Sequence, residues 1–171
     1  MSVCIYPTHR PPCCDLVVCD GPKSVSAHRG IFNFNEKDYI VCRPHLLPLT
    51  ITDIIGRLTE GSDCTVRNLH ITTGWEGLFV VLLWEASDHS VRSVYLPLRE
   101  AGMTRAEIEP FVEGPVSDIF PNLYYSKRFD ILRRLCSMAK KKVENRFPQM
   151  VGKIVCHLVA QYEGVIAASS L

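Results

Sequence analysis

Seven consecutive apolar residues, Leu78 to Trp84, place the strongest constraint on how this 171-residue chain can fold. The run is too short to cross a bilayer, which takes about 20 apolar residues in a helix. It has the length of a central β-strand that is buried on both faces. Turn-forming residues flank it at 73–77 and at 86–90. We therefore expect this run to be the middle strand of the core.

The segments on either side of this run also have the composition of strands. Residues 64–72 lead into it, and residues 91–96 are rich in β-forming side chains. Together, residues 64–98 predict a three-stranded antiparallel meander. Nearer the N-terminus, residues 31–34 and 39–42 flank a polar four-residue loop, which predicts a β-hairpin.

Helical patterns occur at 50–59 and dominate the chain beyond Leu98. Apolar residues recur at helical spacing in a short segment at 50–59, and Thr104 and Glu107 form a capping box that predicts another short helix. Residues 126–147 form the longest amphipathic pattern, with Phe129, Leu132, Cys136, Ala139, Val143 and Phe147 on one face. Residues 149–168 predict a second long helix that is apolar on several sides.

Strands followed by helices are typical of the α+β class. We predict a mainly antiparallel sheet, built from the N-terminal hairpin and the meander at 64–98, covered on one face by C-terminal helices. The length fits a single domain over residues 1–171. Within it, residues 1–22 predict an irregular segment rich in cysteine and proline, and residues 126–168 predict a helical pair.

The cysteine content indicates a reducing compartment. The chain has eight cysteines, and its first residues show neither the basic nor the apolar region of a secretory signal. Thiols stay reduced in the cytosol and nucleus. The sequence therefore predicts a cytoplasmic or nuclear protein that is not secreted, with no membrane partner.

Positive charge is concentrated at the C-terminal end. Residues 1–125 carry ten basic and fifteen acidic side chains, for a net charge of −5, whereas residues 126–171 carry nine and three, for a net charge of +6. A cationic helix face can follow a phosphate backbone. The predicted polyanion-binding residues are Lys127, Arg128, Arg133, Arg134, Lys140, Lys141, Lys142 and Arg146.

Two other kinds of partner remain open. Lysines and arginines also cover the solvated face of ordinary surface helices, so the basic stripe could be incidental. The protein would then be an adaptor that contacts other proteins through apolar surface, or a homodimer formed by the predicted helix at 149–168.

A zinc-stabilised module is a further alternative. Cys42 and His45 have the Cys-x2-His spacing of zinc ligands, and Cys14 and Cys19 could complete a tetrahedral set. The competing interpretation is that most of these thiols are small buried side chains. Zinc is the only cofactor that the sequence suggests.

Catalytic motifs are missing from the sequence. It has no glycine-rich phosphate loop and no Gly-x-Ser-x-Gly elbow, and the adjacent pair Cys156-His157 has poor geometry for a dyad on a helix. We therefore predict a non-enzymatic regulatory or accessory protein that acts by binding nucleic acid or an acidic partner through the basic helix.

Overall fold

The core is a five-stranded sheet in which four strands run parallel. A computed structural model describes residues 13–59, 65–84, 90–150, 152–160 and 164–169. The strands are β1 (Cys13–Cys19), β2 (Tyr39–Val41), β3 (Thr65–Thr73), β4 (Lys153–Ala160) and β5 (Gly164–Ala168). Their order across the sheet is β2-β1-β3-β4-β5, and only β5 runs antiparallel to its neighbour.

Seven α-helices lie among the described residues. They are α1 (Pro22–Arg29), α2 (Leu47–Thr59), α3 (Trp75–Leu83), α4 (Tyr95–Ala101), α5 (Arg105–Ile108), α6 (Ile119–Tyr125) and α7 (Phe129–Arg146). Short 3-10 helices occur at Glu36–Asp38, Pro44–Leu46, Glu109–Phe111 and Val116–Asp118. Within the described ranges, no helix is both long enough and apolar enough to cross a membrane.

Helices cover both faces of the sheet. Adjacent residues of a strand point to opposite faces, so β4 shows which helix covers which side. The ring of His157 lies against His28 of α1, whereas the thiol of Cys156 lies near Cys136 of α7. Helix α7 packs on α3, and α3 packs on α2. Helix α1 therefore covers one face, while α2, α3 and α7 form a layer on the other.

The predicted mainly antiparallel sheet with helices on one face is wrong. Parallel neighbours need a crossover connection, and α1, α2 and the 75–146 region provide those crossovers. Strand β1 is fully buried from Leu16 to Cys19, as expected for a strand between two helical layers. A continuous apolar run of that kind has no alternation, so its periodicity does not reveal strand direction.

Among the described residues of the meander predicted over residues 64–98, β3 is the only strand. The apolar run forms most of α3, which is buried on nearly every side between the sheet and α7. A short, wholly apolar segment fits a buried helix as well as a buried strand. The helix ends at Trp84, which has a positive φ of 59°. Val91 and Val94 are buried in a turn that precedes α4, rather than in a third strand.

The N-terminal hairpin is also absent from the structure. Residues 31–34 form no strand, and Glu36–Asp38 form a 3-10 helix capped by Asn35 rather than a hairpin loop. Strand β2 pairs in parallel with β1 instead. The first part of the predicted irregular segment, residues 1–12, lies outside the described residues, but residues 13–19 form β1.

The C-terminal helical pair is half correct. The first helix is confirmed as α7, and its predicted apolar face is buried at Leu132, Cys136, Ala139 and Val143. The second predicted helix is wrong, because residues 149–168 contain β4 and β5. The homodimer that we assigned to that helix therefore loses its structural basis. The predicted helices at 50–59 and after Thr104 are confirmed in α2 and in the capped α5.

Candidate functional site

The connections of β1 and β3 leave the sheet in opposite directions. The connection from β1 passes through α1 to β2 on one side, whereas the connection from β3 leads to β4 on the opposite side. Such a reversal opens a crevice outside the carboxyl ends of the strands, which is the usual ligand site of parallel sheets. Asp20 and Gly21 follow β1 at this edge, and Gly74 follows β3.

The carboxylate of Asp20 holds the elements around this crevice together. One of its oxygens accepts hydrogen bonds from the Thr73 hydroxyl and the Gly74 N–H, both at 2.7 Å. The other accepts a hydrogen bond from the Ser24 hydroxyl in α1. Asp20 thus links the end of β1 to the first turns of α1 and α3.

Gly77 permits this close approach. A Cβ atom at position 77 would lie 1.9 Å from the Thr73 hydroxyl oxygen and 2.7 Å from an Asp20 carboxylate oxygen. Real Cβ atoms do not approach other atoms this closely, so any residue larger than glycine would have to displace the contacts of Asp20. The sequence Thr-Gly-Trp-Glu-Gly, which we interpreted as a turn, is therefore the start of a tightly packed helix.

An aromatic wall closes one side of a cavity of about 550 Å³ at this edge. The Trp75 indole N–H donates a hydrogen bond of 2.7 Å to the Val116 carbonyl. The centroid of the Trp75 ring lies 5.3 Å from that of Phe120 and 4.8 Å from that of Phe79. Residues 20–24, Gly74, Val159 and Ala160 complete the lining. We call this cavity the edge cleft.

The edge cleft has the chemistry of a binding site rather than of a nucleophilic active site. Its carboxylate already caps the Gly74 N–H, so the start of α3 is not open to an anion. The Ser24 hydroxyl donates to a carboxylate, and no imidazole belongs to the described lining. A serine nucleophile paired with a histidine base is therefore not assembled here.

A buried histidine cluster lies deeper on the α1 face of the sheet. Nε2 of His28 is 2.9 Å from Nδ1 of His70, and Nε2 of His157 is 3.0 Å from the same Nδ1. All three side chains are buried. Within the described residues, they form the only group of three or more metal-ligating side chains whose ligand atoms converge.

Burial keeps these imidazoles neutral. It lowers the pKa of His28 to about 3 and that of His157 to about 4, and it also lowers the pKa of His70. The Phe32 ring stacks on His28, and the Phe34 ring meets His70 edge to face. Neutral imidazoles keep a free ring lone pair each, which is the form that binds metals.

The sequence does not reveal this cluster, because neighbouring members are 42 and 87 residues apart along the chain. Two of them did carry a signal. His70 lies between Leu69 and Ile71, and His157 lies between Cys156 and Leu158, so each is a polar residue inside an apolar strand. In a strand buried on both faces such a residue needs a partner.

The predicted zinc ligands are not gathered into one group among the described residues. Cys14 and Cys19 both lie in β1, five residues and therefore about 16 Å apart along the strand. The thiols of Cys19 and Cys42 are buried near one another, while His45 is exposed on a 3-10 helix. Burial raises the pKa of Cys19, so its thiolate is disfavoured.

The predicted polyanion-binding residues divide into two groups. Arg128 pairs with Glu107 and Asp130, Lys140 pairs with Glu144, Arg134 donates to the Ala101 carbonyl, and the Arg146 guanidinium lies over the Trp84 ring. Lys127, Arg133, Lys141 and Lys142 are exposed and form no ion pair with any residue that the structure describes. Lys127 precedes α7 and has a positive φ of 58°.

Comparisons with protein-family models, with curated proteins and with solved structures gave no match. Function must therefore be inferred from the two sites and the basic surface of this chain.

Proposed function

We propose that the protein binds a small organic ligand in the edge cleft. The observation that carries this proposal is a cavity of about 550 Å³ at the point where the β1 and β3 connections diverge. Pockets that bind small molecules have volumes of about 300–1,000 Å³ and combine apolar walls with a few fixed polar groups. The edge cleft has this composition.

The rigidity of the cleft supports the proposal. The Trp75 indole is fixed by its hydrogen bond to Val116 and by two ring contacts, and Asp20 is fixed by three donors. A wall that is already ordered loses little conformational entropy when a ligand binds. A solvent-facing depression without function does not need this degree of order.

The lining indicates the class of ligand. A planar, largely apolar body packs against Trp75 and Phe120, and a hydrogen-bond donor on the ligand meets the Asp20 carboxylate. Lys23 lies exposed at the rim, where it can attract an anionic substituent. We propose that the cleft binds a ligand of this class, without any chemical reaction.

Dye binding tests the proposal. The probe is 1-anilinonaphthalene-8-sulfonate, which combines a planar apolar body with one negative charge. We expect saturable binding of one dye per chain. The substitution Gly21→Leu should abolish it, because a Cβ at Gly21 meets no atom within 4 Å and the added side chain would occupy the cleft.

Exposed apolar residues elsewhere provide the control. Leu49 and Leu96 are 68% and 69% exposed, and neither lines the edge cleft. Leu49→Ser and Leu96→Ser should leave dye binding unchanged. Equal dye binding by wild type and Gly21→Leu, or a loss of binding in the leucine variants, would contradict the proposal.

A second candidate function is the binding of a polyanion by the basic surface. The specific observation in its favour is the exposure of Lys127, Arg133, Lys141 and Lys142 without ion pairs to the described residues. Nucleic acid or an acidic protein segment would fit such a surface. This function and ligand binding at the edge cleft are compatible, because the two surfaces share no residue.

Retention on a polyanion resin at increasing salt concentration tests this second function. The double variant Arg133→Glu/Lys141→Glu should elute at lower salt and show a shallower salt dependence. The matched control is Lys37→Glu/Arg43→Glu, which makes the same charge change at exposed positions on another part of the chain. Equal retention of the two double variants would remove the basic surface as a specific site.

A further inference from the structure

We propose that His28, His70 and His157 together bind one divalent transition-metal ion, with zinc as the best match. This inference goes beyond the proposed ligand site and does not depend on it. It starts from the convergence of three ring nitrogens, Nε2 of His28, Nδ1 of His70 and Nε2 of His157, which all lie within 4.8 Å of one another.

The spacing of these atoms is close to that of a metal site. The two short nitrogen–nitrogen separations are 2.9 and 3.0 Å. Zinc–nitrogen bonds of about 2.0–2.1 Å in a tetrahedral site place two ligand nitrogens about 3.3 Å apart. To admit the ion, these two separations would widen by a few tenths of an ångström, and the His28 and His157 nitrogens, which lie within 4.8 Å of each other, would take up the same spacing.

Hydrogen bonding alone satisfies the cluster poorly. Nδ1 of His70 faces two imidazole nitrogens, and one ring nitrogen carries either a single proton or a single lone pair. If it accepts, only one of its neighbours can direct a proton along the lone pair, and if it donates, one proton must be shared. A metal ion would engage all three lone pairs at once.

The surroundings support ligation by the observed nitrogens. The Tyr39 hydroxyl oxygen is 2.9 Å from Nδ1 of His28. When Nδ1–H donates to that oxygen, Nε2 of the same ring is left with its lone pair facing the cluster. A partner of this kind on the second nitrogen is usual for metal-binding histidines, because it fixes both tautomer and ring orientation.

The fourth ligand of the ion would be a water molecule, as in zinc sites with three histidines. Thr72 lies on the same face of β3 as His70 and is paired in register with His157. Its hydroxyl is buried and lies beside the Cys19 thiol.

The donor set selects the class of metal. Three neutral imidazoles suit zinc, cobalt, nickel and copper, whereas calcium and magnesium need oxygen ligands. No carboxylate belongs to the described cluster. The ion would also fix α1, since His28 is one helical turn beyond Ser24, which contacts Asp20 in the edge cleft.

Cobalt titration of the metal-free, full-length protein tests the inference. We expect one Co²⁺ per chain, a visible absorption spectrum typical of a tetrahedral site with nitrogen ligands, and displacement of Co²⁺ by Zn²⁺. We expect no thiolate-to-cobalt charge-transfer band, because the proposed ligands include no cysteine. Such a band would show that the cysteines bind the metal and would overturn the proposal.

Substitutions locate the site. His70→Gln should abolish Co²⁺ binding, whereas His45→Ala should leave it unchanged, because His45 is exposed and lies outside the cluster. Folding of each variant is checked by circular dichroism. Unchanged Co²⁺ binding by a folded His70→Gln variant, or its loss in His45→Ala, would overturn the proposal, as would a folded wild-type protein that binds no Co²⁺ or Zn²⁺.

Tyr39→Phe decides the question if His70→Gln does not fold. It keeps all three ligands and removes only the hydroxyl that orients His28, so zinc affinity should fall by about 10-fold to 100-fold. A chromophoric chelator that competes for zinc measures this change. Wild-type affinity in the Tyr39→Phe variant would contradict the assignment of His28 as a ligand oriented by Tyr39.

Discussion

Replacing Gly77 by alanine should destabilise the protein, although alanine is the better helix former. The added Cβ would lie 1.9 Å from the Thr73 hydroxyl oxygen, 2.7 Å from an Asp20 oxygen and 3.1 Å from a methyl carbon of Leu47. The Thr73 side chain must therefore turn away, which breaks its 2.7 Å hydrogen bond to Asp20.

The size of the effect follows from three contributions. A hydrogen bond to a charged group contributes about 1.5–3 kcal/mol, and overpacking a filled site costs about 1–3 kcal/mol. Helix propensity returns at most about 1 kcal/mol for glycine to alanine. We therefore expect Gly77→Ala to lower the free energy of unfolding by about 2–5 kcal/mol.

Gly56 provides a matched control. It also lies in a helix, α2, but a Cβ at that position would meet no atom within 4 Å. Gly56→Ala should raise the free energy of unfolding by about 0.5–1 kcal/mol. Urea unfolding followed by far-ultraviolet circular dichroism measures both variants. A Gly77→Ala variant as stable as Gly56→Ala would refute the close packing of α3 against Asp20 and Thr73.

Two further predictions concern the buried histidines and the Asp20 carboxylate. In the unfolded chain histidines take up protons below a pKa of 6.5, whereas burial lowers the pKa of folded His28 to about 3 and that of folded His157 to about 4. With a chelator present, the contribution of these two neutral side chains to the free energy of unfolding is complete above pH 6.5. It falls by roughly 2–3 kcal/mol per pH unit as the pH drops from 6.5 towards 4, because only the unfolded state is protonated there. Urea unfolding at pH 7, 6 and 5 measures this slope, which should be shallower in His157→Gln, and an identical slope in that variant would contradict burial of a neutral His157. Asp20→Asn should lower the free energy of unfolding at pH 7 by about 1–3 kcal/mol, because an amide cannot accept all three hydrogen bonds of the carboxylate; the same urea assay measures it, and wild-type stability would show that this network is unimportant.

The helices that the sequence predicted correctly are those with one apolar face. In α7 the residues Leu132, Cys136, Ala139 and Val143 are buried while the opposite side is charged, so the period of 3.6 is visible in the sequence. Helix α5 was predictable because Thr104 and Glu107 cap it through reciprocal side-chain bonds. In both helices the local sequence pattern predicts the same structure that the tertiary packing requires.

The errors arose where both faces of an element are buried. Helix α3 and strand β4 are each almost wholly apolar, and a segment without polar positions shows neither a period of two nor one of 3.6. The strand was predicted as a helix and the helix as a strand for this single reason. Because these element types were exchanged, the sheet was also predicted to be mainly antiparallel, whereas most of its strands are parallel.

Neither the edge cleft nor the histidine cluster could be located from the sequence alone. The cleft depends on the strand order, which brings Asp20 and Gly74 together across 54 residues of chain. The cluster joins one helix and two strands, and its residues have no short spacing that would indicate a metal motif. The sequence shows which residues are histidine or aspartate, but only the strand order of the parallel sheet brings them next to their partners.

Binding at the edge cleft is the central claim, and nuclear magnetic resonance of the amide-labelled protein tests it most directly. A set of small planar organic compounds is titrated into the protein, and shifts are followed at the Trp75 indole N–H and the backbone of Gly21, Lys23 and Gly74. We predict saturable shifts concentrated at these groups. Shifts confined to the surface of α7, or none at the cleft with any compound of the set, would contradict the account.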